Sequence, residues 1–254
     1  MPNDDLWPLF MDLRFAGARS HPRHGACFVA EGRILVEDLL AWGRAGKAKV
    51  VAVLAETGQA EAVRPLLPAG TELLTAGRTE LEALAGFPFH RGLLAAAAVP
   101  APPGPEQLQG CRRLLVLPAV ADVQNLGQLL RTAAALGLDG ALLGPGPDPF
   151  SRRCVRVSMG SAWKLPLWRE ADVWGALAAW DGERVAAALV PGSIPLRDWR
   201  PAPRTALVLG AEGPGLPPEA LARCARIVRI PMAEGVDSLN VAAAGAILMH
   251  WLTA

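Results

Sequence analysis

The sequence predicts an α/β protein built on a mostly parallel sheet, and three observations carry that expectation. Short runs rich in Val, Leu and Ala alternate with longer stretches whose apolar residues recur at helical spacing. Several of the strand-like runs pass directly into loops of Gly, Pro and an acidic residue, which then feed a helix; TALVLGAEGPGL (Thr205 to Leu216) and RIVRIPMAEGVDSLNVAAAG (from Arg226) do so within fifty residues of the C-terminus. Finally, PAPPGP, Pro100 to Pro105, places four prolines in six residues. It can continue neither a helix nor a central strand, so it divides the chain into residues 1–99, a linker at 100–105 and residues 106–254.

In the first part the strand-like runs are CFVA, KVVAVLA, TELLT and GLLAAAAV. Helical patterns follow Gly32, Gly58 and Gly77, with Leu35, Leu39 and Leu40 on one face. A small α/β domain is the expectation. The second part opens with a strand, Arg112 to Leu117. A helix follows, carrying Leu126, Leu129, Leu130, Ala133 and Leu136 on one face and ending at Gly137. Asn125 stands where an N-cap belongs. Gly127 and Arg131 are one turn apart, so the arginine leans back over a bare glycine toward the loop above the first strand. The strand GALLG, the loop GPGPDPF and the segment SRRCVRVSMGSAWKLPLW come next, then a helix over Ala171 to Trp180 and a strand over Arg184 to Val190. The two C-terminal strand–loop–helix stretches close the chain, with Asp237 or Ser238 as the expected cap of the last helix.

A chain of 254 residues with a hydrophobic fraction of 52% is long and apolar enough for real cores. No apolar run reaches the roughly eighteen residues of a membrane helix, and the first twenty residues lack the pattern of a secretion signal, with Asp4, Asp5, Asp12 and Arg14 among them. Cys27, Cys111, Cys154 and Cys224 are too scattered for a zinc site or a disulfide framework. No metal, no membrane and a reducing cytoplasm are therefore expected. The net charge of +1 advertises no polyanion, but the local distribution is uneven. Ser151 to Arg169 holds Arg152, Arg153, Arg156, Lys164 and Arg169 with no acid, and a second basic stretch runs through Arg14, Arg19, His21, Arg23, His24 and Arg33. Either is a solvated face or a phosphate-binding patch. Trp163, Trp168 and Trp174 are the aromatics available for base stacking, with core packing expected for at least two of them.

NLGQLLR (Asn125 to Arg131), LVLGAEGPGL (Leu207 to Leu216) and IPMAEGVDSLNVAAAGAIL (Ile230 to Leu248) occur in that order. Together they resemble the three motifs of the SpoU, or TrmH-type, RNA 2′-O-ribose methyltransferases of the SPOUT superfamily. DPFSRRCVRVSMGSAWKLP is similar to the segment that connects the first two, and residues 1–99, around GACFVAEGRILVEDLL, resemble the ribosomal-protein-like substrate-binding domain of many members. Two departures are visible: Val123 where the family often has proline, and Ala211 where Ser or Asn often precedes the glutamate.

The resemblance implies a C-terminal trefoil knot, against the general rule that chains do not thread loops. It implies S-adenosyl-L-methionine as cofactor and a homodimer through the SPOUT domain whose interface includes the C-terminal helix. Leu209, Gly210, Glu212, Gly215, Ile230, Met232, Ser238 and Leu239 would hold the cofactor. Asn125, Arg131, Glu212, Ser238 and Asn240 match the active-site positions. The family assigns the proton-accepting role to the residue at 131, yet guanidinium is essentially never deprotonated. The physical reading is that Arg131 grips an RNA phosphate and stabilises the developing alkoxide, while phosphate or water takes the proton. Ser238 and Asn240 would orient the ribose, Asn125 steady the first motif and Glu212 brace the pocket. The substrate expected is structured RNA, ribosomal RNA before transfer RNA because of the added domain. A dinucleotide enzyme is disfavoured, since ADVQNLG stands where G-x-G-x-x-G would be required. The alternative is a catalytically silent RNA-binding or assembly protein on the same fold.

Overall fold

The computed structural model describes residues 5–15, 17–87 and 92–254; Asp4 lies outside them. They divide into two compact units, Met1–Ala101 with Asp148–Trp163, and Pro102–Pro147 with Lys164–Ala254. The break after Ala101 falls inside the proline-rich stretch.

In the first unit β1 (Arg19–His21), β2 (Gly25–Glu31), α1 (Arg33–Arg44), β3 (Val50–Glu56), α2 (Ala60–Val63), β4 (Glu72–Ala76), α3 (Arg78–Ala85) and β5 (Leu93–Ala98) follow in order. The strands form a sheet ordered β1-β2-β5-β3-β4. It is antiparallel except for the β3–β4 pair, whose connection is the helical crossover that a parallel pair requires. Leu6, Leu9, Phe10 and Leu13 pack with Val29, Leu54, Leu81 and Leu94 in the core of this unit.

The second unit runs α4 (Pro105–Gly110), β6 (Arg113–Leu117), α5 (Val123–Ala135) and β7 (Gly140–Leu143). After α6 (Arg152–Val157) and α7 (Ser161–Lys164) come β8 (Leu167–Arg169), α8 (Val173–Ala176), β9 (Glu183–Ala187), β10 (Ile194–Pro195), β11 (Thr205–Val208), α9 (Pro218–Leu221), β12 (Arg226–Arg229) and α10 (Val241–Thr253). Seven strands lie in the order β10-β12-β9-β11-β6-β7-β8, and every pair is parallel. Leu207 of central β11 is in register with Leu115 and Val185 on its two sides. Both faces of such a sheet are covered, which is why β6, β7 and β11 at its middle are almost wholly apolar and buried. Leu114, Val116, Leu142, Trp168, Trp180, Ala206 and Val208 form the core on one side.

The structure departs from the sequence reading in four places. The segment Asp148–Trp163, read as part of the second domain, belongs to the first unit. Phe28 stacks on Trp163 at 5.3 Å and lies 5.5 Å from Phe150, while Asp148 accepts the Ala18 N–H at 2.9 Å. Arg152 of α6 donates from Nε to the Leu13 carbonyl at 3.0 Å and from Nη1 to the nearly buried Glu31 carboxylate. Asn125 does not cap α5: Asp122 does, accepting from Gln124 N at 2.7 Å and Asn125 N at 2.9 Å. Asn240, rather than Asp237 or Ser238, caps α10. The helix expected over Ala171 to Trp180 shrinks to Val173–Ala176 behind its Asp172 cap. Trp163 and Trp168 are buried and Trp174 is half-buried, with Arg223 5.8 Å over its ring.

Candidate active site

Ligands of parallel sheets collect beyond the carboxyl ends of the strands, and there the second unit opens a cavity of about 490 Å³. Three strand ends build it: Ala187 to Val190 at the end of β9, Leu209 to Leu216 after β11, and Val228, Arg229, Ile230 and Met232 at the end of β12. The loop of Asp237 to Asn240 and the first turns of α10 close it. The loop after β11 folds back on itself, with Ala211 bridged to Gly215. Gly210 makes that possible, since a Cβ there would lie 2.3 Å from the Gly215 carbonyl carbon. A second close approach fixes the wall behind it: at Gly245 of α10 a Cβ would lie 2.4 Å from Leu129 of α5 and 3.0 Å from Leu209 of the cavity.

Leu209, Gly210, Glu212, Gly215, Ile230, Met232, Ser238 and Leu239 all line this one cavity, and Asn240 does as well. Asn125 reaches it through Glu212. The hydrogen bonds fix every amide orientation in turn. Asn240 Oδ1 accepts from Ala242 N at 2.9 Å and Ala243 N at 3.3 Å, and since backbone N–H groups only donate, the acceptor oxygen must face them. Asn240 Nδ2 then donates to Asn125 Oδ1 at 3.0 Å, which turns Asn125 Nδ2 toward the Glu212 carboxylate, to which it donates. Glu212 Oε1 is thereby satisfied, whereas Oε2 is buried with no partner among the described residues. A buried acceptor of this kind costs about 1–3 kcal/mol unless something donates to it.

Two expected site residues behave differently. Arg131 is exposed on the outer face of α5 and is not among the cavity residues. Asn240 lines the cavity, but its oxygen is engaged in capping and one of its two N–H groups in holding Asn125. Sequence reasoning missed Ala187, Ala188, Leu189 and Val190, which form the third wall. The signal lay in a strand of small residues ending at Pro191 and Gly192, the same strand-to-loop punctuation that marked the other two walls.

A cavity with backbone-lined glycine turns, apolar walls and one buried unpaired carboxylate oxygen fits a nucleoside-type cofactor that carries hydrogen-bond donors. Among the described residues no group of three or more His, Cys, Asp or Glu side chains is placed to hold a metal, and no helix is long and apolar enough to cross a membrane.

A cavity of this kind at the carboxyl edge of a parallel sheet defines a small-molecule site suited to a nucleoside-type ligand, and comparison with known proteins makes the class specific. Residues 112–250 match the model of the SpoU rRNA Methylase family. An uncharacterized tRNA/rRNA methyltransferase of Mycobacterium tuberculosis is 36% identical over 98% of this chain and 88% of its own length. The 23S rRNA (guanosine-2′-O-)-methyltransferase RlmB of Acinetobacter baylyi is 32% identical over 72% of this chain and 78% of its own. The crystal structure of an AdoMet-bound rRNA methyltransferase from Sinorhizobium meliloti is similar over 89% of this chain and 86% of that one, with TM-score 0.74 and 28% identity. The chain belongs to the SpoU rRNA methylase family, is an RNA methyltransferase, and uses S-adenosylmethionine as its cofactor.

Proposed function

We propose that this protein transfers a methyl group to a ribose 2′-hydroxyl of structured RNA, ribosomal RNA before transfer RNA, in the cytoplasm. The observation that carries the reading is the convergence of Glu212, Asn125 and Asn240 on a cavity lined by the glycine loop after β11 and the loop after β12. The A. baylyi and M. tuberculosis relatives are named for RNA methylation, which supports the substrate class.

When bound, S-adenosylmethionine supplies an electrophilic sulfonium methyl. Leu209, Gly210, Gly215, Ile230, Met232 and Leu239 would hold it, largely through backbone, with Glu212 Oε2 accepting a donor from it. Ser238, exposed at the cavity rim, orients the ribose; Asn240 contributes through the N–H it has left. Asn125 holds Glu212 and Asn240 in place. Arg131 has no partner among the described residues and stands free to grip the RNA phosphate and stabilise the developing alkoxide, with phosphate or water taking the proton. We read the loops after β11 and β12 as walls of a trefoil knot. A homodimer through α10 is supported by that helix being apolar on nearly every face, with Ala243 and Ile247 left exposed.

The test is incubation of the purified protein with methyl-labelled S-adenosylmethionine and total RNA from a strain lacking the gene, followed by nucleoside digestion. A labelled 2′-O-methylnucleoside is expected, with the RNA size fraction naming the substrate. Label on a base would overturn the ribose assignment. Cofactor binding without any label would favour a silent RNA-binding protein. In Arg131→Ala turnover should vanish while calorimetric cofactor affinity stays nearly unchanged; full activity in that variant removes Arg131 from the chemistry.

A further inference from the structure

The two basic stretches of the sequence fare differently in the fold. In the N-terminal one, Arg19 is held by the carbonyls of Pro8, Met11 and Asp12, Arg23 pairs with Asp5 at 2.6 Å, and Arg33 pairs with Glu37 at 2.9 Å. His21 is buried, with Nε2 3.2 Å from the Asp5 carbonyl. These cations are engaged by their own unit. In the second stretch Arg152 turns inward to Glu31 and the Leu13 carbonyl, as described above.

Arg153 and Arg156 do neither. Both are exposed, and neither has an acidic or carbonyl partner among the described residues. They sit three apart on α6, with Cβ atoms roughly 5–6 Å from each other, away from the buried Cys154 and Val155. Arg14, also exposed and without a partner among the described residues, directly follows Leu13, whose carbonyl takes Arg152. The acid nearest in sequence, Asp148, is turned to the N–H groups of Ala18 and Phe150 at 2.9 and 3.0 Å. Arg153 and Arg156 thus stand exposed beside the anchored Arg152, with Arg14 next in sequence to the residue that takes it, and none of the three has an acidic partner among the described residues, an arrangement that self-repulsion disfavours unless an anion settles there.

We propose that Arg14, Arg153 and Arg156 form a phosphate-gripping face for the RNA substrate, displayed on the first unit by the segment Asp148–Trp163. The proposal rests on the RNA methyltransferase reading above and names a surface within it. RNA fits better than an acidic protein for two reasons. Guanidinium forks match phosphate oxygens bidentately. A protein interface also needs an apolar centre, whereas the exposed large apolar residue of this segment is Met159 alone among the described residues.

The experiment uses the full chain carrying Arg153→Gln and Arg156→Gln together. RNA affinity is measured across a salt series, beside steady-state methylation and calorimetric S-adenosylmethionine binding. Losing two phosphate contacts should flatten the slope of log K against log salt by about 1.4–1.8 and raise KM for RNA roughly tenfold. The values of kcat and cofactor affinity should stay as in the wild type. Arg33→Gln, which removes a cation already paired with Glu37, should leave slope and KM unchanged. An unaltered slope and KM in a double variant that still methylates RNA overturns the proposal and leaves this face to a protein partner. A wild-type protein that binds S-adenosylmethionine but neither binds nor labels RNA fails earlier, at the RNA reading itself, and takes this proposal with it.

Discussion

Asn125 shows how much a single amide can organise. Its oxygen receives Asn240 and its nitrogen serves Glu212, so it links the helix after β6, the loop after β11 and the start of α10. Asn125→Ala would leave the Glu212 carboxylate with neither oxygen satisfied and release one N–H of Asn240. Calorimetry on that variant should find cofactor affinity lower by roughly 10- to 100-fold. Asn125→Asp preserves shape but sets an acceptor against an acceptor, and should bind no better than the alanine variant. Wild-type affinity in Asn125→Asp would show that the linkage has no part in binding. The residue types of this site were legible in the sequence; their partners were not. DVQN and DSLN each offer more than one capping residue within a few positions, and the sequence alone does not say which side chain caps and which is left to turn inward. Asp122 takes the cap in the first, freeing Asn125, while in the second Asn240 caps and also reaches across.

Among the elements, the loop after β11 and the α5–α10 contact depend on glycine in unequal ways. At Gly210 an added methyl meets backbone of Gly215 and Leu216, which cannot yield without opening the loop. At Gly245 it meets the ends of the Leu129 and Leu209 side chains, which can swing to other rotamers. Gly210→Ala should therefore weaken cofactor binding roughly tenfold or more, whereas Gly245→Ala should lower stability by about 1 kcal/mol and leave binding close to wild type. Denaturant titration beside calorimetry checks the pair, and equal effects at the two sites would refute the distinction. The strands and long helices were readable because burial on both faces of a parallel sheet leaves uninterrupted apolar runs, and α5 keeps a clean helical stripe. β10 was not, being a two-residue edge strand that contains a proline. The apolar positions over Ala171 to Trp180 suggested a longer helix than forms; Val173, Leu177 and Trp180 are buried, but the last two lie beyond its end.

At the scale of the whole molecule, stability carries a pH signature from thiols in both units. Burial pushes Cys154 up to about 12, with the Asp148 carboxylate adding to it, and pushes Cys111 and Cys224 up to about 11. The folded state therefore keeps protons that the unfolded chain releases near 9. Their contribution is fully present below about pH 9 and is lost as the pH rises toward 12. Denaturant titrations between pH 8 and about 10.5 should show falling stability, less steeply once cysteines 111, 154 and 224 are replaced by alanine or serine; an identical pH slope would refute the assignment. The prolines at 100–105 gave the sequence its one visible boundary, whereas nothing in the sequence marked residues 148–163 as part of the first unit. Nothing local distinguishes a loop that serves its own sheet from one that serves another core; the decision rests on Glu31 and Phe28, more than a hundred residues away in sequence.

That return has a practical side for anyone recombining such proteins. A graft that took residues 1–101 alone as a module would leave Phe28 without its two ring neighbours and Glu31 without its guanidinium, so the recipient would receive an unfinished core. A working chimera has to move two separate pieces of chain, and the second of them interrupts the second unit between β7 and β8.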